Sequence, residues 1–301
     1  MLSHVSAAGS LVVLLGLLLL GPVRLLAEGE GPDPESNPSP DPTPNREQKL
    51  ETVSAPEAEY QIAYTEYRKA VTAKDLQKAL FYARKGHELA VRDLGLRNAR
   101  TGVLAYNLGA VSCRLERYVD ALGPLHEAET TYRENYGVES SKNLLPVRKL
   151  ADAYQALRIW PQAERYSIRA MEIFEANQGR TAPEVTEILM ELTQITQSMG
   201  HAKRMRTYAN RALYNLHQGE EANTMAIGHA YISLATAEMM LGDAAASHKS
   251  LDRAVEIYEI HLSASDPKLL KLYAFAADAL ERTGREKRAR KYRRKLEDPE
   301  S

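Results

Sequence analysis

From about residue 60 onward, apolar residues recur along the chain at the spacing of amphipathic helices. Between residues 102 and 137, this pattern predicts one helix over Val103–Leu115 and a second from Val119 to Tyr132. A short polar break at Glu116–Arg117 separates them. Gly137 then supplies the left-handed residue that commonly ends a helix. The segment is therefore predicted to form a pair of helices joined by a tight turn.

The same pattern repeats every 42 residues. When the repeats are aligned, several sets of equivalent positions hold similar residues, and we call each set a column. The columns are Leu108, Leu150, Leu192 and Leu234; Ala128, Ala170, Ala212 and Ala254; Tyr132, Phe174, Leu216 and Tyr258; Ala121, Ala163 and Ala289; Gly95, Gly137 and Gly179; and Gly200, Gly242 and Gly284. Small residues let two helices approach closely, and the large ones fill the space beside them. Since one pair cannot bury its apolar stripe alone, stacked pairs are predicted to share a continuous core.

Leu108-Gly109 with Ala121 and Ala128 resembles the tetratricopeptide repeat. The period of 42 is similar to the longer variant found in kinesin light chains and many bacterial repeat proteins. The resemblance implies an all-α fold, a right-handed α-solenoid of about six antiparallel helix pairs. HEAT-like repeats are the alternative, but they do not predict these Ala and Gly columns. We place the solenoid at residues 59–297, with units near 60–101, 102–143, 144–185, 186–227, 228–269 and 270–297.

The N-terminal region differs from the rest in composition. Leu11–Leu20 is an apolar run too short for an ordinary membrane span, and Gly21-Pro22 follows it. Residues 1–27 are therefore predicted to be a signal peptide cleaved after Ala27, with an uncleaved membrane anchor as the alternative. Residues 28–58 begin with a stretch rich in Pro and acidic residues and are interpreted as a disordered linker. The chain is expected to be exported, and either periplasmic or secreted.

Composition excludes several classes of function. The 39 basic and 40 acidic residues give a net charge of −1, so no general affinity for nucleic acid is expected. A single cysteine, Cys113, excludes an intrachain disulfide and cysteine-rich metal sites. The eight histidines show no metal-binding spacing and are interpreted as surface or groove residues. We find no phosphate-binding loop and no catalytic motif, and predict a non-enzyme without metal or cofactor.

The resemblance implies a concave groove, lined by the first helix of each pair, that binds extended peptides or helices. The candidate groove residues are Tyr64, Arg68, Tyr106, Asn107, Arg114, Arg148, Lys149, Asp152, Gln155, Glu187, Glu191, Gln194, His229 and Thr236. Arg114, Arg148 and Lys149 would make one region basic, whereas Glu187 and Glu191 would make another acidic. Such a bipolar groove could orient a partner electrostatically.

The last predicted helix is unusually basic. The candidate basic patch consists of Arg288, Arg290, Lys291, Arg293, Arg294 and Lys295, and Arg282, Arg285 and Lys287 precede it. The helix is interpreted either as the polar cap that a solenoid end requires or as a site for an anionic partner such as a membrane surface.

These observations predict a non-catalytic scaffold or adaptor that binds a protein or peptide in its groove. The alternative is an envelope or membrane-surface protein that docks through the basic C-terminal helix.

Overall fold

The computed structural model of the protein describes residues 58–218 and 224–298. These residues form twelve α-helices and one 3₁₀ turn, Ser141–Asn143, with no strand among them. The predicted signal peptide and nearly all of the linker lie outside the described residues. None of the helices within the described ranges combines the length and apolar character needed to span a membrane.

The helices follow one another in six pairs. They are α1 (Glu59–Thr72), α2 (Leu76–Leu94), α3 (Ala99–Arg114), α4 (Tyr118–Tyr136), α5 (Leu144–Ala156), α6 (Trp160–Gln178), α7 (Pro183–Ser198), α8 (Ala202–Gln218), α9 (Thr224–Met240), α10 (Ala244–His261), α11 (Pro267–Arg282) and α12 (Glu286–Glu297). The prediction of an all-α fold built from consecutive helix pairs is confirmed over these residues.

The chain divides into two compact units between Ile173 and Phe174, within α6. We call the described residues on either side the N-terminal unit and the C-terminal unit. In the N-terminal unit α1 to α5 each pack against the next helix in sequence, and α3 also contacts α5. In the C-terminal unit α7 to α12 do the same, and α7 also contacts α9. Each core therefore grows by adding one helix to the side of the previous one.

The turn inside each pair is made by one residue with a positive φ angle. These residues are Lys74 (58°), Glu116 (58°), Arg158 (57°), Gly200 (73°), Gly242 (79°) and Gly284 (72°), each 42 positions from the next. The sequence identified the three glycines but not the first three members of the column. Because a left-handed conformation costs a residue with a Cβ atom about 1–2 kcal/mol, helix packing rather than residue preference must hold these turns.

Two helical glycines of the N-terminal unit differ in how closely a neighbouring helix approaches them. Gly109 on α3 faces the side chain of Leu125 on α4, and a Cβ built on Gly109 would lie 2.5 Å from Leu125 Cγ. Gly86 on α2 occupies the column that holds Ala128 in the next pair. A Cβ there would lie 3.5 Å from the nearest atom, Ala63 Cβ, which is an ordinary contact. The first glycine is therefore required by packing, and the second is not.

His248 on α10 is buried, with 4% of its surface exposed, so its assignment to the surface or groove is wrong. Its Nε2 lies 2.9 Å from Thr283 Oγ1, at the end of α11. The Thr283 hydroxyl is also within hydrogen-bonding distance of the Ala279 and Leu280 carbonyls, so it can donate there and accept from Nε2. Nδ1 is then the unprotonated nitrogen, and it is buried with no hydrogen bond from any residue that the structure describes. Burial lowers the pKa of His248, and the cations of Arg285 and Arg288 lower it further, against weaker opposing effects of the Ala279 backbone and Asp252.

Replacing Gly109 and Gly86 by alanine should have opposite effects on stability. Gly109→Ala forces Leu125 to move and should lower the free energy of unfolding by about 1–3 kcal/mol. Gly86→Ala is the matched control in the same unit, and it should raise stability by about 0.5–1 kcal/mol because alanine favours the helix. Urea unfolding of both variants would check this. Equal effects of the two substitutions would contradict the packing argument.

The protein should lose stability in acid partly through His248. The pKa of folded His248 lies below the ordinary value of 6.5, so the unfolded chain takes up the proton first. The contribution of neutral His248 to the free energy of unfolding is complete above pH 6.5, and it is lost as the pH falls below that value. His248→Gln should flatten the pH dependence of the urea midpoint below pH 6.5, whereas His261→Gln, at an exposed position, should not. An unchanged slope in His248→Gln would show that this histidine does not titrate with unfolding.

Candidate functional site

The helix α5 carries a charged face next to a buried one. Val147, Leu150 and Ala151 are fully buried. The candidate residues Arg148, Lys149, Asp152 and Gln155 are half-buried on the other side of the same helix. Lys149 Nζ lies 3.6 Å from Asp152 Oδ2, one turn away. Because both charges lie on one face, the predicted basic region around Lys149 contains an acidic group as well.

The C-terminal end of α3 lies beside this face. Burial raises the pKa of the Cys113 thiol to about 11, and Lys149 and Asp152 act on it in opposite directions. The thiol is therefore protonated near neutral pH and has little nucleophilic or metal-binding character. The neighbouring side chain of Arg114 is exposed. Arg114 thus follows Cys113 in sequence at the end of α3, and its place in a groove together with the α5 residues stays a prediction.

Tyr64 and Arg68 occupy consecutive turns of α1. The Tyr64 ring is half-buried and stacks on Tyr67, with ring centroids 6.1 Å apart. The guanidinium carbon of Arg68 lies 6.0 Å from the centroid of the Tyr64 ring. Aromatic rings with a cation above them offer both apolar contact and positive charge to a ligand.

In the C-terminal unit the candidate residues lie on α7 and α9, which contact each other. Glu187 is exposed, and Gln194 and His229 are half-buried. The His229 ring packs at 5.8 Å from the Tyr258 ring, and burial lowers its pKa, with a smaller effect from Lys268. The neutral imidazole is therefore the favoured form near neutral pH.

Four candidate groove residues are buried instead of lining an open surface. They are Tyr106, Asn107, Glu191 and Thr236. For Tyr106 and Asn107 the reason is that α3 packs against α2, α4 and α5, which leaves little of the helix uncovered. Thr236 Oγ1 donates to the carbonyl of Ile232 on its own helix. The side-chain amide nitrogen of Asn107 is buried without a hydrogen-bond partner in the described part of the chain.

The basic helix α12 is anchored to the C-terminal unit. Ala289 and Tyr292 are buried in the core formed with α10 and α11. Three residues of the candidate basic patch make ion pairs with carboxylates of α10 and α11: Arg288 with Asp252, Arg293 with Asp278 and Glu281, and Lys295 with Glu259. These contacts were not identified from the sequence, and they fit the interpretation of α12 as a cap.

A different cluster, in which His126 is half-buried and Tyr154 and Tyr166 are buried, joins three elements of the N-terminal unit. His126 Nε2 lies 2.8 Å from the hydroxyl of Tyr154, and the hydroxyl of Tyr166 lies 3.2 Å from His126 Nδ1. The two tyrosine rings stack with centroids 5.5 Å apart. Both imidazole nitrogens are thus engaged in fastening α4, α5 and α6 together. Nowhere in residues 58–218 and 224–298 do three or more His, Cys, Asp or Glu side chains form a group that could hold a metal ion.

Comparison with known proteins gives a fold but no close relative. No protein-family model matches the sequence, and no curated protein matches it. The structure of BtubC (BKLC) from P. vanneervenii matches with a TM-score of 0.52 at 21% identity, over 66% of this chain and 80% of that one. A putative kinesin light chain from Podosopora anserina, with nearly identical TPR-like repeats, matches with a TM-score of 0.54 at 16% identity, over 68% and 95%.

The apo form of RapI matches with a TM-score of 0.56 at 12% identity, over 80% of this chain and 76% of that one. At these identities the likeness concerns the fold alone. Together with the 42-residue period and the helix pairs, it shows that this chain has a tetratricopeptide-like helical repeat fold.

Proposed function

We propose that this protein is a non-catalytic scaffold that binds a peptide or helical segment of a partner protein along the first helices of its pairs. The charged face of α5 is the observation that carries the proposal. Arg148, Lys149, Asp152 and Gln155 offer both donors and acceptors on one side of a helix whose other side is fixed in the core. Groups held by a rigid element lose little entropy on binding.

The chemistry of this face favours a partner segment with its own charges. Arg148 and the exposed Arg114 can pair with carboxylates, and Asp152 can accept hydrogen bonds from a peptide backbone or from a basic side chain. Partly buried stems restrict the motion of these side chains, and Asp152 in addition has one carboxylate oxygen, Oδ1, buried. On the sequence evidence of the apolar run Leu11–Leu20, the proposal places this binding outside the cytoplasm, in a periplasm or in the secreted fraction.

Docking on a membrane through α12 is the weaker alternative. An interfacial helix binds membranes by inserting apolar side chains below its charged face. On α12 the residues Ala289 and Tyr292 are already buried against the unit. The face that points away from the unit consists of charged residues, so it has no apolar group to insert.

Reversing two charges on α5 should abolish capture of the main partner. The full chain and the variant Arg148→Glu/Lys149→Glu would be used as baits in native cell extracts, and the captured proteins quantified by mass spectrometry. The matched control is Lys203→Glu/Lys249→Glu, which makes the same charge change at exposed positions on second helices. Circular dichroism would show that all baits are folded. The leading protein should then bind the purified chain directly, and bind the α5 variant at least about tenfold more weakly.

Retention of that partner by the α5 variant would contradict the proposal. Equal loss with the control variant would show that net charge, not the α5 face, determines capture. A third variant, Lys287→Glu/Lys291→Glu, tests docking through α12. Charge substitution is preferable to deletion of α12, because deletion would uncover the core around Tyr292.

A further inference from the structure

The helix α12 has more cationic side chains than the three that form ion pairs with α10 and α11. Arg288, Arg293 and Lys295 pair with carboxylates of α10 and α11. Arg290 pairs with Glu286 on its own helix, at 3.3 Å. Within the described residues, Lys287, Lys291 and Arg294 make no ion pair with a carboxylate. We call these three residues the outer stripe.

The outer stripe lies on one face of the helix. Its members occupy positions i, i+4 and i+7, so their side chains share a side and extend over about 10 Å along the axis. With Arg290 and Lys295 they line an open cleft of about 400 Å³. The lining of this cleft consists of five cationic side chains and contains no carboxylate and no apolar residue.

This arrangement opposes the stability of the helix. Lys287 and Lys291 are like charges four residues apart, as are Lys291 and Lys295, and such pairs destabilise a helix. A cap needs only a polar surface, which a mixture of Glu and Lys would provide without repulsion. The excess of positive charge on α12 is therefore not explained by its role as a cap. A bound anion would reduce the repulsion between these cations.

We propose that the cleft on the outer stripe binds a small multivalent phosphate, a chain of two or more phosphate groups. A peptide would need backbone partners or apolar pockets, and the cleft offers neither. A phosphate chain needs only cationic donors, which the Lys and Arg side chains supply as short charge-assisted hydrogen bonds. Lys287 and Arg294 flank Lys291 on the same face, so their long side chains can reach the two ends of a phosphate chain bound there. The site is separate from α5 and does not depend on the groove.

Tripolyphosphate is the probe for this proposal. Isothermal titration calorimetry at low ionic strength would compare the full chain with Lys287→Gln/Lys291→Gln/Arg294→Gln. The matched control is Lys203→Gln/Lys249→Gln/Lys271→Gln, which removes three exposed positive charges elsewhere in the same unit. We expect the full chain to bind one tripolyphosphate, the stripe variant to bind on the order of tenfold more weakly or worse, and the control to change by less than about twofold.

Thermal unfolding provides a second measurement. Tripolyphosphate should raise the melting temperature of the full chain and of the control, but not that of the stripe variant. Without ligand, the stripe variant should melt no lower than the full chain, because it loses repulsion between like charges and no ion pair. The contact that it loses, Lys291 Nζ at 5.8 Å from the centroid of the Tyr292 ring, is weak at an exposed site. A stripe variant that melts lower without ligand would contradict the argument that these cations are surplus.

Two further probes distinguish other anions. Vesicles of phosphatidylcholine and phosphatidylserine test a lipid surface, and hexaglutamate tests an acidic peptide. Binding of vesicles through the stripe, with no binding of tripolyphosphate, would overturn the proposal in favour of a membrane. Hexaglutamate binding as tight as that of tripolyphosphate, or equal loss of tripolyphosphate binding in the stripe and control variants, would overturn it in favour of unspecific charge.

Discussion

The close packing of each second helix against its neighbours sets the spacing on which the rest of the fold depends. In the first pair, Gly86 of α2 faces Ala63 of α1 and Leu104 of α3, so a small residue lies between the first helices of two successive pairs. The same column holds Ala128, Ala170, Ala212 and Ala254, all fully buried. A larger side chain there would separate the pairs, and the core that they share would be lost.

This constraint also explains which parts of the fold could be predicted. Repeated small and large positions identify the pairs, and Gly137 marks the end of α4 correctly, with a φ of 84°. Lys74, Glu116 and Arg158 could not be recognised as left-handed residues from their type, because side chains of this kind avoid that conformation. They adopt it because the packed helices on both sides leave no other path for the turn. Their place in the glycine column was the available signal.

The candidate site was less predictable than the fold. Helical periodicity separates one side of a helix from the other but does not reveal how many neighbours that helix has. Tyr106 and Asn107 are buried because α3 has three neighbours, whereas Arg148 and Lys149 on α5 stay partly accessible. Ion pairs between the second helices of successive pairs were also not predicted from the sequence. They nevertheless recur at fixed separations, such as the 36 residues from Arg288 to Asp252 and from Lys295 to Glu259. Searching a repeat sequence for complementary charges at that separation would find them.

The even spacing of the left-handed turns has a consequence for the gene. From Lys74 to Gly284 the interval is always 42 residues, so no insertion or deletion has shifted one turn relative to another. Within this interval, any stretch of 42 codons therefore encodes one complete repeat, whichever residue it begins with. Unequal crossing-over between two repeats would lengthen or shorten the protein by one whole helix pair, with every helix still in register. The binding surface of such a protein can thus change in length in a single genetic step.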